Sequence, residues 1–217
     1  MSSEETEVNL AETLPFNHLG PIPGVAVGMR WKFRYQLSVA GVHRPLLGYV
    51  HAARDESAFC IIVHGKNTLD GGNEIAYVCD DMRVKARTMM ECIAAGKEDV
   101  FKPDHWLRDN NLALARCCNA EIDPEGAESD DWQAGLPVRV VRCSLHRKKH
   151  SFCPTDGYRY DGIYKVASYA VEDYEGYDQY HFRLFRDDPE PAPWEENAKK
   201  YELLFPDDYD DSIKIEK

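Results

Sequence analysis

No apolar run in this chain of 217 residues comes near the roughly 18 residues that a helical membrane span requires. The opening Met1-Ser2-Ser3-Glu4-Glu5 lacks the basic-then-apolar pattern of a secretory signal. There is no Walker loop and no GxGxxG, so no glycine-rich cradle for a nucleotide. The seven cysteines form no CxxC pair, and their odd number argues for free thiols in a reducing compartment over a disulfide scaffold. No internal repeat is present, and no nucleophile–base arrangement stands out. These absences predict neither an enzyme nor a membrane protein. Catalytic residues, metal and cofactor are all expected to be none.

What is present is 43% hydrophobic residues, enough for the core of one domain. The net charge of −12 argues against a nucleic-acid partner until its distribution is read. Residues 1–15 hold four acids and no base, and residues 187–217 hold eleven acids against four bases. Between them lie two basic segments. Residues 29–54 carry five Arg or Lys and no acid, and residues 138–166 carry seven against Asp156 and Asp161. Such segments in a near-neutral body can meet phosphates.

Residues 30–37 alternate, with Trp31, Phe33, Tyr35 and Leu37 on one side, which predicts a half-buried strand with a basic outer face. Strands are also predicted over 58–63, 74–79, 138–143, 162–171 and 179–186. A helix is predicted over 104–118 with Asp104 as its cap. A second is predicted over 194–205, where Trp194, Ala198, Tyr201 and Phe205 share a helical face. Asp161-Gly162 reads as a tight hairpin turn. The fold class is mainly β (α+β), a strongly curved β-barrel with flanking helices. The expected organisation is a disordered acidic tail at 1–15, a domain at 16–195, and a helix end with an acidic tail at 196–217.

Two competing constellations carry less weight. Cys143, His146, His150 and Cys153 have zinc-ligand chemistry, but Arg147, Lys148 and Lys149 inside that loop would repel a cation. Asp187, Asp188 and Glu190 could form an acidic nuclease cluster, and read more simply as a solvated loop.

Several blocks in order carry a resemblance: Gly20-Pro21-Ile22-Pro23-Gly24-Val25 through Trp31, Gly41-Val42-His43-Arg44-Pro45, Gly72-Asn73 with Tyr77, Asn111-Leu112-Ala113-Leu114-Ala115, Glu125-Gly126-Ala127-Glu128 with Trp132, Pro137 to Arg142, and Tyr158 to Val166. Together they resemble the SRA domain, also called YDG (compare Tyr160-Asp161-Gly162), with a PUA-like fold. The likeness runs from about Phe16 to about Trp194. It implies a non-enzymatic reader that flips 5-methylcytosine out of duplex DNA, holding it by aromatic stacking and hydrogen bonds to its Watson–Crick edge.

Carried onto this chain, the resemblance gives a base pocket of Asn67, Asp70, Gly72, Asn73, Tyr77 and Val78, with Tyr77 as stacking wall and Asp70 as edge reader. The family's first aromatic wall is missing, since Gly65-Lys66-Asn67-Thr68-Leu69 holds no aromatic, and Val78 stands where a Thr is usual. A lost stacking partner costs about 1–3 kcal/mol. Leu46, Leu47 and Gly48 form the wedge, with Leu47 entering between bases. Arg83, Lys85 and Arg87 are the finger. Arg44, Arg139, Arg142, Arg147, Lys148 and Lys149 are the phosphate contacts. In the family, the Tyr160-Asp161-Gly162 element lies away from the base-reading atoms.

The expected partner is therefore double-stranded DNA with a modified cytosine in methylated CpG, hemimethylated included. Chromatin or DNA-methylation proteins are further candidates, and the expected location is the nucleus. The RING, PHD and methyltransferase modules that accompany the domain elsewhere are too large for the short tails, so no attached enzyme is expected. Alternatives are a reader of an oxidised methylcytosine, a protein-interaction scaffold that has lost base recognition, and a modification-dependent hydrolase.

Overall fold

The computed structural model describes residues 14–64, 69–79, 94, 107–145, 151–174 and 177–205. Ten strands run in chain order: β1 (Arg30–Trp31), β2 (Val50–Ala52), β3 (Ala58–Val63), β4 (Leu69–Asp70), β5 (Glu74–Val78), β6 (Gly126–Glu128), β7 (Val138–Cys143), β8 (Tyr158–Tyr174), β9 (Tyr177–Arg186) and β10 (Leu203–Leu204). The short helices α1 (Arg34–Val39) and α2 (Asp109–Ala115) accompany them. Among the described residues no helix is long and apolar enough to cross a membrane.

The long strand β8 organises the sheet. Its first half pairs with β7 on one edge and with β1 on the other. Its second half pairs with β6 and β9. The main path runs β2-β3-β7-β8-β9-β5-β4. The mainly β class is thus as expected, while no pairing among the described residues joins β2 to β4 to close a barrel.

Burial on both faces explains the apolar run 58–63. Ala58, Ile61 and Val63 pack into one core with Tyr77, Leu114, Val140 and Phe182. Cys60 and Ile62 pack into the other with Trp31, Leu37, Val141 and Tyr160. A strand covered on both sides reads as continuously hydrophobic. The six described cysteines are buried free thiols, and burial pushes Cys60 and Cys117 up to about 12. Protonated thiols of this kind are inert.

Three predicted elements are corrected. The strand over 30–37 stops at Trp31, and α1 follows. The Gln36 side chain accepts from the Phe33 backbone N–H (2.9 Å), satisfying one of the donors a helix start leaves open. Only Trp31 and Leu37 of the alternating set are buried, and Tyr35 faces solvent. The helix over 194–205 is absent: turns occupy 193–198, and β10 pairs in parallel with β1. Backbone pairing with β1 at Arg30 and Trp31 outweighs the helical periodicity there. The helix at 104–118 is shorter, with Asp104 and Trp106 outside the described residues and α2 ending at Ala115.

Candidate nucleic-acid interface

Asp161-Gly162 is not a hairpin turn. Both residues lie inside β8, where Val140 pairs with Gly162 but Val141 pairs with Tyr160. Asp161 is therefore the extra residue of a β-bulge. Gly162 takes φ +102, and a Cβ there would lie 2.7 Å from Asp188 Oδ2. The Asp188 carboxylate accepts instead from the Ile163 backbone N–H at 2.8 Å and from Glu190 N–H at 2.9 Å. Its role is thus to cap the bulge.

The bulge turns Asp161 inward onto Arg142 of β7. Arg142 Nη1 donates to Asp161 Oδ2 at 2.6 Å. Its Nε and Nη2 donate to the two oxygens of Asp70 at 2.8 and 2.6 Å. Arg159 also donates to Asp161, at 3.0 Å from Nη2. The side chains of Asp70, Arg142 and Asp161 are all 0% exposed. Trp194 covers the group, its ring centroid 4.9 Å from Arg142 Cζ and 5.8 Å from Arg159 Cζ. Burial alone would lower the pKa of Arg142, yet Asp161, Tyr164 and Asp70 hold it well above the usual value. Two carboxylates and two guanidinium groups balance, which is how buried charge is tolerated.

This network fixes the β4–β5 hairpin. Gly72 carbonyl accepts from Arg142 Nη2 (2.8 Å) and from the Tyr164 hydroxyl (2.7 Å). Burial raises the Tyr164 phenol to about 12, so it stays a donor. Gly72 N–H donates to Asp70 Oδ1 at 3.0 Å. Gly72 has φ +79, and a Cβ there would meet the Phe152 ring at 2.8 Å.

Several sequence-predicted roles change accordingly. Asp70 is corrected from edge reader to structural anchor, because both its oxygens are bound and shielded. Arg142 is corrected from phosphate contact to the hub of that anchor. Arg139 is likewise corrected: it is buried and donates to the carbonyls of Val42 (3.1 Å), His18 (2.9 Å) and Gly20 (2.7 Å), tying two loops together. The Tyr160-Asp161-Gly162 element is not remote from the proposed pocket. One arginine links it to the hairpin. Tyr77 is 1% exposed, in the core beside Phe182, and Val78 is buried next to it. Asn73 is exposed, with its carbonyl accepting from Arg186 N–H. Asn67, Arg83, Lys85, Arg87, Arg147, Lys148 and Lys149 lie outside the described residues, as do His146 and His150 of the zinc alternative.

The wedge loop has the opposite character. Leu46 is 59% and Leu47 76% exposed, and nothing stands within 4 Å of a Cβ built on Gly48. Its backbone is nevertheless held. Arg34 Nη2 donates to Gly48 carbonyl, Arg34 Nε donates to Pro45 carbonyl (3.4 Å), and Ser38 hydroxyl donates to Arg44 carbonyl (2.9 Å). The His43 ring lies 3.3 Å from Gly48 carbonyl. Burial, then His51 and Arg34, lower the pKa of His43 well below its ordinary value. Arg44 is half-buried and donates to Leu14 carbonyl at 2.8 Å. Sequence reasoning missed Arg34 and Ser38 because their roles appear only once α1 stands beside the loop.

A family model for the SAD/SRA domain matches residues 18–190. The chain is 42% identical over 194 residues to the E3 ubiquitin-protein ligase UHRF1 of Danio rerio, covering 86% of this chain and 24% of that protein. It is 40% identical over 188 residues to human UHRF2, covering 83% and 22%. The chain thus spans about a quarter of the length of these relatives. Among solved structures it resembles the SUVH5 SRA domain in complex with fully methylated CG DNA, at TM-score 0.56 and 25% identity, covering 81% of this chain and 98% of that one. It also resembles the modification-dependent TagI restriction endonuclease, at TM-score 0.57 and 26% identity, covering 78% and 52%.

Proposed function

We propose, because this chain belongs to the SAD/SRA domain family, that it is a reader of modified cytosine in double-stranded DNA. The base would leave the duplex for the space beside the β4–β5 hairpin, and Leu47 would fill the gap it leaves. The exposed Leu46-Leu47 tip carries this reading within the chain. Two large apolar side chains in water on a braced loop contribute nothing to the core, yet suit an unstacked base step. Likeness to a domain solved with fully methylated CG DNA supports the ligand class.

Tyr77 is the proposed stacking wall, its ring uncovered as the base arrives. Asp70 is committed to Arg142, so reading of the cytosine edge passes to Asn67, whose amide oxygen can accept from cytosine N4. Arg44, Arg147, Lys148 and Lys149 remain proposed phosphate contacts, and Arg83, Lys85 and Arg87 the proposed finger. We propose no catalytic residue, no metal and a nuclear location.

The test is a titration against matched duplexes carrying unmodified, hemimethylated and fully methylated CpG. Tighter binding of the methylated duplexes is expected, and equal affinity for all three would overturn the methyl-reading role. One observation favours a second reading. The SUVH5 SRA domain, 26% identical in that comparison, is also solved with fully hydroxymethylated CG DNA. A hydroxymethylated duplex in the same titration separates the two.

A further inference from the structure

A cavity of ≈ 220 Å³ opens between β1, the loop before β8 and the segment leading into β10. Arg30, Arg159, Lys199 and Lys200 line it with Thr155 and Tyr201, and among the described residues no acidic side chain does. Asp161 offsets Arg159. Among the described residues none of the other three cations is held in an ion pair, although Arg30 also acts electrostatically on the nearby Asp156 carboxylate. Arg30 Nη2 donates to the Thr155 hydroxyl (3.0 Å) and the Asp156 carbonyl (3.3 Å). Lys200 Nζ donates to the carbonyls of Pro193 and Glu195. Lys199 Nζ stands 4.8 Å from the Tyr201 ring centroid. The neighbouring carboxylate of Asp156 is engaged by Lys32.

Two further observations point the same way. Arg30 and Arg159 are register partners in the β1–β8 pair, and like charges directly opposite one another destabilise a sheet. Arg30 Nε is buried with no hydrogen-bond acceptor, and an unmet buried donor is costly. An anion held between the two guanidinium groups relieves the repulsion between them. Gly28 is what lets the wall close. It has φ +94, and a Cβ there would lie 3.2 Å from Lys199 carbonyl and 3.3 Å from Tyr201 Cδ2.

We propose that this cavity binds a phosphate-class oxyanion, either a phosphodiester of the DNA backbone or a free phosphate ester. Guanidinium N–H groups and ammonium groups around one small volume suit a tetrahedral anion that accepts several charge-assisted bonds.

The first experiment is an ¹H–¹⁵N titration of the full chain with inorganic phosphate, against chloride at equal ionic strength. Saturable shifts of the Gly28 and Thr155 amides and the Arg30 Nε–H are expected, with Leu46 and Leu47 unmoved. The double variant Lys199→Gln/Lys200→Gln, on exposed side chains, should weaken phosphate binding tenfold or more. Arg30→Gln should do the same. Phosphate shifts matching those of chloride, or unchanged in the double variant, would overturn the site.

The second arm identifies the source. Loss of two cations from a DNA-phosphate site should flatten the salt dependence of duplex binding by about two log units per log unit of salt. An unchanged slope, with phosphate binding lost, assigns a free phosphate ester. Neither readout uses methylation, so failure of base reading would leave both unaffected.

Discussion

The hub around Arg142 and the loop carrying Leu47 are opposites. The hub holds two arginines and two aspartates, the residue types that sequence reading assigns to phosphates and base edges, and it buries them. The loop holds two leucines, the residue type normally assigned to a core, and it exposes them. Charge is spent on architecture in the first region, and apolar surface is left for a partner in the second. Residue type alone does not say which side chains meet DNA. Burial and bonding partners decide it.

The sharpest way to break this comparison is to remove the hub. Arg142→Leu leaves Asp70 and Asp161 as buried carboxylates without a guanidinium between them. A loss of about 3–5 kcal/mol is expected in urea unfolding. A loss below about 1 kcal/mol would mean that Arg142 is not the anchor described.

Next comes the bulge that aims Asp161. Gly162→Ala puts a Cβ onto the Asp188 carboxylate at positive φ. A cost of about 1–3 kcal/mol is expected, read from thermal or urea midpoints. The double variant with Asp188→Ala should not restore stability, because the strained φ remains and the Ile163 N–H loses its acceptor.

Acid should act on the base of the wedge loop by a comparable amount. Burial, with Arg139 and Arg44, lowers His51 to about 3. The unfolded chain takes up that proton near about 6.5. With the folded value depressed, stability rests on neutral His51 above about pH 6.5 and falls as pH drops toward 3. Moving from pH 7 to pH 5 should cost roughly 2 kcal/mol from His51 alone, and His43 acts in the same direction. His51→Leu should flatten the stability profile between pH 7 and 5.

The smallest effect on stability should come from Leu47→Ala, within about 0.5 kcal/mol of the parent. The same change should weaken binding to a methylated duplex severalfold. It should also reduce the fluorescence rise of 2-aminopurine placed next to the flipped base. Unchanged duplex binding and fluorescence would reassign Leu47 to plain surface.

Much of the fold could be read in advance. The strands at 58–63 and 138–143 appear residue for residue, and the one predicted over 74–79 ends one residue earlier, at Val78. Their signals are local: short apolar runs between turn residues, with covered faces. Elements near β1 and β10 were misread because local periodicity competed with pairing partners about 170 residues away. Asp161-Gly162 carried a strong turn signal, and the positive φ at Gly162 is present. Whether that glycine serves a hairpin or a bulge depends on β7 and β9 on either side of β8.

The amino-acid sequence by itself determined the family, the mainly β class and the exposed-leucine candidate for the wedge, since each rests on ordered motifs or local composition. Only the tertiary structure decided what the charged residues do. An arginine side chain can reach a phosphate, a carboxylate or three carbonyls with the same five N–H donors. The sheet places Arg139 against the carbonyls of His18, Gly20 and Val42, and Arg142 between Asp70 and Asp161. It leaves Arg30 beside Arg159 over an open cavity. Those choices depend on strands distant in the chain coming to lie side by side.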